Sequence, residues 1–393
     1  MPDRAELETR VATLQSAIAR AGLDGALILQ RADLVYYAGA ILQGALALPA
    51  RGEARLFLWR GLGRLGETSP FEPVVLRGFT QLPAALGESP CGSWRRIGLE
   101  EDVLPVSTLR NLSLAAWSHA EFRDVSLLIR QQRSVKSETE LTWVRDAGRA
   151  LVTGFRAIPS IAREGMAEYE LCAQMQVVMR RAGDQAGVRV RAFDGEAPGV
   201  VAYGPSAAVD IVFDGPLGHP GRSPYSPMGS GDRPLGRDCP LIVDVVAGVH
   251  GYTADMTRTY ALGRLDKRFV EAHDFCVQVI EELARRMVPG AIPEELYLWA
   301  VAEADKAGFS DNFMNRGRNK VRFLGHGVGL ELDELPVLAK RFTDPLRENM
   351  VVAIEPKIVF EDGAVGVEDT VIVKDYGAEV VTAFERPLIQ IGG

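Results

Sequence analysis

The sequence predicts an α+β protein of two domains, in which a smaller α/β domain precedes a larger one with helices packed on an antiparallel sheet. The chain has 393 residues, and this length favours two domains, or three, over one. In the first third, short apolar strands alternate with helical patterns, as in layered α/β structures. Later segments combine longer helical patterns with strand-forming runs, which indicates helices on an antiparallel sheet.

The smaller domain is expected over residues 1–132. Apolar residues repeat at helical spacing from Leu7 to Ile18, and Gly22 marks the end of this helix. The predicted strands are 26–29, 55–59 and 96–100, with 122–129 as a last strand or a connector. This part has no glycine-rich phosphate motif and no ligand-spaced cluster, so we expect it to serve structure or assembly.

The larger domain is expected over residues 133–393. A polar, basic stretch at 130–136 precedes Ser137 and Glu140, whose S-x-x-E spacing predicts a capping box at a helix start. Further helices are predicted at 166–181, from about residue 267 and from about residue 293. The loop 214–240 is dense in Gly, Pro and Ser and should hold no regular element. It is either a functional lid or a mobile surface excursion.

Charge and composition restrict the class of protein. The net charge of −8 argues against nucleic acid or an anionic membrane as the main partner. No apolar run reaches the ~18 residues that a membrane span needs. The N-terminus has no basic segment followed by an apolar one, so we expect a cytoplasmic protein. The four cysteines form no C-x-x-C pair and are expected to be reduced.

Five residues in three segments could form one acidic site. Asp244 and Asp255 lie in two strand-like runs around a Gly-rich turn, so a hairpin would bring them together. His326 lies between glycines that allow close backbone approach and leave the imidazole accessible. Glu355 ends an apolar strand and Glu368 begins another, with a turn expected at 360–363. Buried carboxylates need a counter-charge, which is either a metal ion or an ion pair with Lys357 or Arg258.

Together these residues suit two divalent metal ions. Four carboxylates and one neutral imidazole balance the charge of two dications, and the donor set fits manganese, zinc, cobalt or ferrous iron. Carboxylates that bridge the two ions would hold them ~3.5–4 Å apart, the separation used in two-metal hydrolysis.

The motifs are similar to those of a known family. The patterns D…D-x-T-R-T, G-H-G-x-G, A-x-E-P and G-x-E-D-T occur in the order found in M24 metallopeptidases, the creatinase/aminopeptidase P/prolidase family. The resemblance covers nearly the whole chain. It implies a C-terminal domain of the pita-bread fold, a creatinase-type N-terminal domain and a homodimer.

The resemblance also implies roles for the five residues. Asp244 would hold one metal ion, and His326 and Glu355 would hold the other. Asp255 and Glu368 would bridge the two, and Glu355 would also act as general base. Manganese is the favoured ion.

Three positions depart from the family pattern. Asp333 stands where peptidases of the family usually have a second histidine. A further histidine is replaced within 226–229, and His219 could substitute if its loop folds inward. Gly366 stands where the prolidase-like G-V-R-I-E-D pattern has arginine. Asp333 and His219 are the candidates for substrate orientation.

The favoured function is hydrolysis of the bond before proline in dipeptides or short peptides. A metal-bound water would attack the scissile carbonyl. One alternative is a non-peptidase of the same fold that hydrolyses a small amide or amidine. The other is a catalytically silent binding scaffold, which the complete ligand set disfavours.

Overall fold

A computed structural model describes residues 2–191, 199–219, 221–226 and 229–392. The chain divides into two compact units. The first is built from residues up to Arg133 together with Arg191, and the second from Ser134–Val190 and the described residues from Gly199 onward.

The first unit is a mixed sheet with flanking helices. Its elements, in chain order, are α1 Arg4–Arg20, β1 Gly25–Ile28, α2 Arg31–Ala38, β2 Gln43–Pro49, β3 Arg55–Arg60, β4 Val74–Val75, α3 Leu82–Gly87, β5 Arg96–Leu99, α4 Val106–Ala115, β6 Glu121–Asp124 and α5 Ser126–Ser134. Within the described residues the strands form one sheet in the order β4-β3-β2-β1-β5-β6. The predicted first helix and the three predicted strands are present.

Two features of this unit differ from the sequence prediction. Strand β2 was not predicted, because its Ala and Leu residues carry no strand signal and only pairing with β1 and β3 defines it. The segment 122–129 is not one strand or connector: β6 ends at Asp124 and α5 then runs through the basic stretch. The Asp124 carboxylate accepts a hydrogen bond of 2.8 Å from the Ser126 backbone N–H, and this cap starts the helix.

The second unit contains helices and a large, almost entirely antiparallel sheet. Its elements are α6 Glu138–Ile161, α7 Glu168–Arg181, β7 Val200–Tyr203, β8 Pro240–Val249, β9 Tyr252–Leu262, α8 Lys267–Arg286, α9 Pro293–Lys306, β10 Phe323–Gly327, β11 Glu334–Ala339, β12 Val351–Ile354, β13 Lys357–Phe360, β14 Gly363–Gly366, β15 Glu368–Lys374, β16 Gly377–Val380 and β17 Ile389–Ile391. The main sheet has the order β11-β10-β12-β15-β9-β8-β7, while β16 pairs with β15 and β17 with β9. Strands β13 and β14 form a separate hairpin.

The four predicted helices of this unit are present, and the capping box at Ser137 and Glu140 is confirmed. The described part of the loop 214–240 holds no helix or strand before β8 begins at Pro240. Leu217, His219 and Leu235 of this loop are nevertheless buried, so much of it packs against the unit. No helix in the described residues is long and apolar enough to cross a membrane.

Candidate metal centre

The hairpin of β8 and β9 aligns two aspartates on one face of the sheet. Asp244 lies opposite Thr257, and Asp255 lies opposite Val246. Because side chains alternate along a strand, these four residues share a face. The glycine-containing turn consists of two residues, His250 and Gly251, because Gly248 and Val249 still belong to β8. Both turn residues have positive φ, which matches the twist of a tight hairpin.

Strand β10 presents His326 between two neighbouring strands. His326 lies opposite Ala353 of β12 and Val337 of β11. A Cβ atom at Gly325 or Gly327 would collide with a backbone carbonyl of the adjacent strand. The flanking glycines are therefore required for the close approach that positions the imidazole.

The imidazole is oriented by backbone carbonyls. His326 Nδ1 lies 3.1 Å from the Leu332 carbonyl oxygen and 3.2 Å from that of Gly327. Carbonyl oxygens only accept hydrogen bonds, so Nδ1 carries a proton and donates it. In the neutral ring, Nε2 then carries the free lone pair that a metal ion requires for coordination.

The two glutamates come from consecutive parts of the sheet. Glu355 directly follows β12, and Glu368 is the first residue of β15, opposite Thr257. The hairpin β13–β14 connects them, with the predicted turn between Phe360 and Gly363.

These segments place three donor groups within reach of one ion. Single donor atoms of Asp255, His326 and Glu368 all lie within 4.8 Å of one another, and the three residues are buried. Glu368 Oε1 is buried and has no hydrogen-bond partner in the described structure. Such an orphaned carboxylate oxygen is costly unless a cation satisfies it. The donor set and the orphaned oxygen therefore fit a divalent metal ion at this point.

Glu355 and Asp244 border the same cluster, but each contacts a lysine. Glu355 Oε1 lies 3.8 Å from His326 Nε2, whereas Glu355 Oε2 lies 2.6 Å from Lys357 Nζ. Asp244 Oδ2 lies 3.1 Å from the same nitrogen. The ion pair between Glu355 and Lys357, one of the two sources of counter-charge considered from the sequence, is thus present. Arg258 instead pairs with Asp369 at 2.7 Å.

Burial and the close approach of several acidic groups together determine the electrostatics of the cluster. Burial, and then the charges of Glu368 and Asp244, raise the pKa of Asp255 well above its ordinary value. Burial also raises the pKa of Glu355 and of Glu368, although Lys357 opposes it in both cases. Burial lowers the pKa of His326, but Asp333, Glu355 and Glu368 outweigh it and raise the value overall. The cluster therefore has less positive charge than its carboxylates need.

The residues of the cluster line an acidic cavity. Its described lining includes six carboxylates and one imidazole, namely Asp214, Asp244, Asp255, Asp333, Glu355, Glu368 and His326. Phe213, which precedes the loop 214–240, and Pro216 and Leu217 within that loop add apolar side chains to the lining. No Lys or Arg lines the cavity in the described part of the chain, and the residues outside that part contain neither type.

Comparison with known proteins identifies the family. The model of metallopeptidase family M24 matches residues 142–375, and that of the creatinase/prolidase N-terminal domain matches residues 10–135. The chain belongs to metallopeptidase family M24. The resemblance deduced from the sequence motifs is thereby confirmed, and with it the expectation of a hydrolase of a metallopeptidase family with a pita-bread C-terminal domain and a creatinase-type N-terminal domain.

Individual relatives match most of this M24 chain. It is 26% identical over 294 residues to a putative dipeptidase, YkvY, of Bacillus subtilis, which covers 75% of this chain and 72% of the relative. It is 27% identical over 297 residues to a Xaa-Pro dipeptidase of Pyrococcus horikoshii, covering 75% of each chain. The crystal structure of the prolidase from Pyrococcus horikoshii superimposes with a TM-score of 0.82 at 23% identity, covering 97% of this chain and 100% of that one, and thus shares its fold.

The two candidates for substrate orientation occupy different places in this M24 chain. Asp333 lines the cavity, is about half-exposed, and lies 3.6 Å from His326 Nδ1. His219 is absent from the described lining. Its Nε2 lies 2.9 Å from Glu168 Oε2, and its Nδ1 accepts a hydrogen bond from Gly221 N–H. Of the stretch 226–229, residues 227 and 228 lie outside the described residues.

Two features of the site went beyond the sequence analysis. Residues 213–217 line the cavity because of the path that an irregular segment takes. Such a path has no hydrophobic periodicity from which it could be predicted. Thr257 donates a hydrogen bond of 2.7 Å to Glu368 Oε2, a contact that the cross-strand register creates. The sequence did contain a signal for this hydrogen bond, because the D-x-T-R-T pattern places a hydroxyl group two residues after Asp255.

Proposed function

We propose that this chain is a peptidase that cleaves the bond before proline in short peptides, with a divalent metal ion held by Asp255, His326 and Glu368. The observation that carries the proposal is the buried group of donor residues whose ligand atoms lie within 4.8 Å of one another, together with the Glu368 carboxylate oxygen that has no hydrogen-bond partner in the described part of the chain. The names of the relatives, a putative dipeptidase and a Xaa-Pro dipeptidase, support the substrate class. Manganese is proposed as the ion, because the donors are mostly hard carboxylate oxygens.

The site would combine metal chemistry with a resident proton acceptor. A bound divalent ion polarises a carbonyl group and lowers the pKa of water that it coordinates. Glu355 is proposed as the general base. Its carboxylate borders the donor cluster, and burial raises its pKa toward the range suited to accepting and returning a proton. Lys357, bound to the other oxygen of Glu355, fixes the orientation of that carboxylate.

The negative charge of the cavity affects which end of a peptide the protein binds. Asp214 and Asp333 line it beside the cluster, and a protonated α-amino group complements such a surface. A dipeptide would also bring its C-terminal carboxylate, for which the described lining offers no Lys or Arg. We therefore propose that tripeptides and longer peptides with proline second are better substrates than Xaa-Pro dipeptides, with Asp333 orienting the amine.

A second candidate is hydrolysis of a small cationic amide or amidine that is not a peptide. Asp333 in place of the family's histidine favours it, because a carboxylate poorly stabilises an oxyanion but binds a cation well. The same cavity lining would accept an amidinium group.

The domain boundaries, the location in the cell and the oligomeric state are also proposals. Residues 1–132 would form the creatinase-like N-terminal domain and 133–393 the catalytic domain, a division that the ranges of the two matching family models support. The protein is proposed to be a cytoplasmic homodimer, and its mass by light scattering would test the dimer.

The experiment is a substrate panel with manganese, cobalt and zinc added separately. It compares Xaa-Pro dipeptides, Xaa-Pro-Xaa tripeptides, their N-acetylated forms, tripeptides without proline, and small cationic amides and amidines. The proposal predicts fastest cleavage of free-amine tripeptides with proline second. Cleavage of the cationic non-peptides alone would favour the second candidate, and absence of any cleavage with metal bound would overturn both.

A further inference from the structure

We propose that this chain holds a single divalent ion, and that the ammonium group of Lys357 takes the place in which Asp244 would bind a second ion. The inference rests on the proposed function, because it concerns the metal count of the same site. It replaces the two-ion expectation drawn from the sequence motifs.

Lys357 is bound as a cation by three carboxylates. Its Nζ lies 2.6 Å from Glu355 Oε2, 3.0 Å from Glu368 Oε2 and 3.1 Å from Asp244 Oδ2. The contacts with Glu355 and Glu368 are hydrogen bonds that the ammonium group donates, and the contact with Asp244 is an ion pair. The side chain is fully buried. The position between Asp244 and the two glutamates is therefore filled by a positive charge that belongs to the protein.

The backbone around Lys357 is fixed, and the neighbouring strand makes room for its side chain. Lys357 lies directly opposite Gly366 in the hairpin β13–β14, and its carbonyl accepts a hydrogen bond of 2.9 Å from Met314 N–H. A Cβ atom at Gly366 would lie 2.6 Å from Lys357 Cγ. The absence of a side chain at Gly366 thus creates the space in which the lysine extends to the carboxylates.

Displacing the ammonium group would be costly. A buried lysine that left its three partners would retain an uncompensated charge in a low-dielectric environment. To bind a second ion, Asp244 would have to give up its contact with Lys357. That ion would also compete with Lys357 for the Glu368 carboxylate. The protein therefore favours the ion pair over a second dication at Asp244.

The contacts of Lys357 leave the other donor atoms available. Lys357 contacts Oε2 of both glutamates. Within the described residues Glu368 Oε1 has no hydrogen-bond partner, and Glu355 Oε1 lies 3.8 Å from His326 Nε2. Donor atoms of Asp255, His326 and Glu368 lie within 4.8 Å of one another, and Asp244 is not part of this group. The lysine thus divides the carboxylate cluster into a part neutralised by protein and a part that binds metal.

The test is a count of bound ions that does not depend on activity. Wild type, Lys357→Gly and Glu368→Gln are stripped with a chelator, dialysed against excess manganese chloride, and analysed for manganese per chain. The glycine variant removes the ammonium group together with the rest of the side chain. Glu368→Gln keeps the shape of the side chain and reports any manganese bound outside the site. Anomalous diffraction from a manganese-loaded crystal of the wild type locates the ions.

We expect one ion in the wild type, two in Lys357→Gly and none in Glu368→Gln, with one anomalous peak beside Asp255 and His326. Two ions in the wild type would overturn the inference while leaving the proposed hydrolysis intact. One ion in both the wild type and Lys357→Gly would overturn the role of Lys357. If the glycine variant fails to fold, the wild-type count and peak decide alone. One bound ion without peptide cleavage would overturn the proposed function only, and no bound ion would overturn both.

Discussion

At the scale of single residues, the donor set depends on neighbours that are not ligands themselves. Thr257 donates to Glu368 Oε2 at 2.7 Å, and two carbonyl oxygens hold His326 Nδ1. The contact with Oε2 orients the Glu368 carboxylate so that Oε1 faces the cluster. The contacts with Nδ1 orient the imidazole so that Nε2 faces the cluster. The site is therefore defined as much by these hydrogen bonds as by the carboxylates.

We predict that Thr257→Val weakens manganese binding about 10–100-fold, the usual cost of losing a group that orients a ligand. Valine keeps the shape of the side chain but removes the donor to Glu368. Isothermal titration with manganese would measure the change. Thr253→Val is the matched control, because Thr253 is also buried on β9 but donates to the Gly329 carbonyl oxygen. An equal loss in both variants would contradict the assigned role.

A second residue-scale prediction concerns the charge at the cavity. Asp333→Asn should raise KM for free-amine peptides about 2–5-fold with little change in kcat, as expected when a half-exposed charge is lost. The effect should shrink at high salt. Asp311→Asn, at an exposed position outside the described cavity lining, is the control. An unchanged KM in Asp333→Asn would argue against a cation at this point.

The sequence anticipated the acidic residues better than their partners. Asp244, Asp255, Glu355 and Glu368 could be singled out because carboxylates in apolar strands require a counter-charge. Lys357 could be named only as one alternative counter-charge, since its reach depends on the register of β13 and β14. His219 could not be placed, because its contact with Glu168 depends on the path of an irregular loop.

At the scale of elements, one buried arginine connects three segments behind the site. Arg258 of β9 donates to the Glu368 carbonyl at 2.7 Å, to Asp369 Oδ1 at 2.7 Å and to the Glu385 carbonyl at 2.7 Å. It is fully buried. Strand β9, the start of β15 and the C-terminal segment therefore share one charged centre.

We predict that Arg258→Met lowers the free energy of unfolding by about 3–5 kcal/mol, the usual result of removing one partner of a buried ion pair. Asp369 would then keep the ion pair with Arg386, at 2.7 Å, and the hydrogen bond from Thr382, but several carbonyl groups would lose the hydrogen bonds that Arg258 donates. Urea denaturation followed by circular dichroism would measure the loss. Lys267→Met, which breaks an exposed pair with Glu271, should have little effect. Equal stability of Arg258→Met and the wild type would refute the structural role.

Elements with strong local signals were predicted well. The hairpin of β8 and β9 and the capped helix α6 follow from turn residues and from the spacing of Ser137 and Glu140. Strand β2 and helix α5 were missed or misassigned because long-range pairing and a single capping carboxylate determine them. Local sequence patterns carry little information about either.

At the scale of the whole molecule, metal binding should contribute to stability. An ion that binds only the folded chain stabilises it by about 2.7 kcal/mol at a hundredfold excess over its dissociation constant. Manganese should therefore raise the melting temperature of the wild type in differential scanning calorimetry, and a chelator should reverse the shift. Glu368→Gln should show no such shift. A shift of equal size in that variant would place the stabilising ion elsewhere.

The central claim is that the cluster of Asp255, His326 and Glu368 is a metal-dependent hydrolytic site for peptides with proline second. The most direct measurement is the initial rate of release of the first residue from an Xaa-Pro-Xaa tripeptide, for chelated and manganese-restored protein, in the wild type and Glu368→Gln. The account predicts cleavage only by the restored wild type. Cleavage that survives both chelation and Glu368→Gln would contradict it.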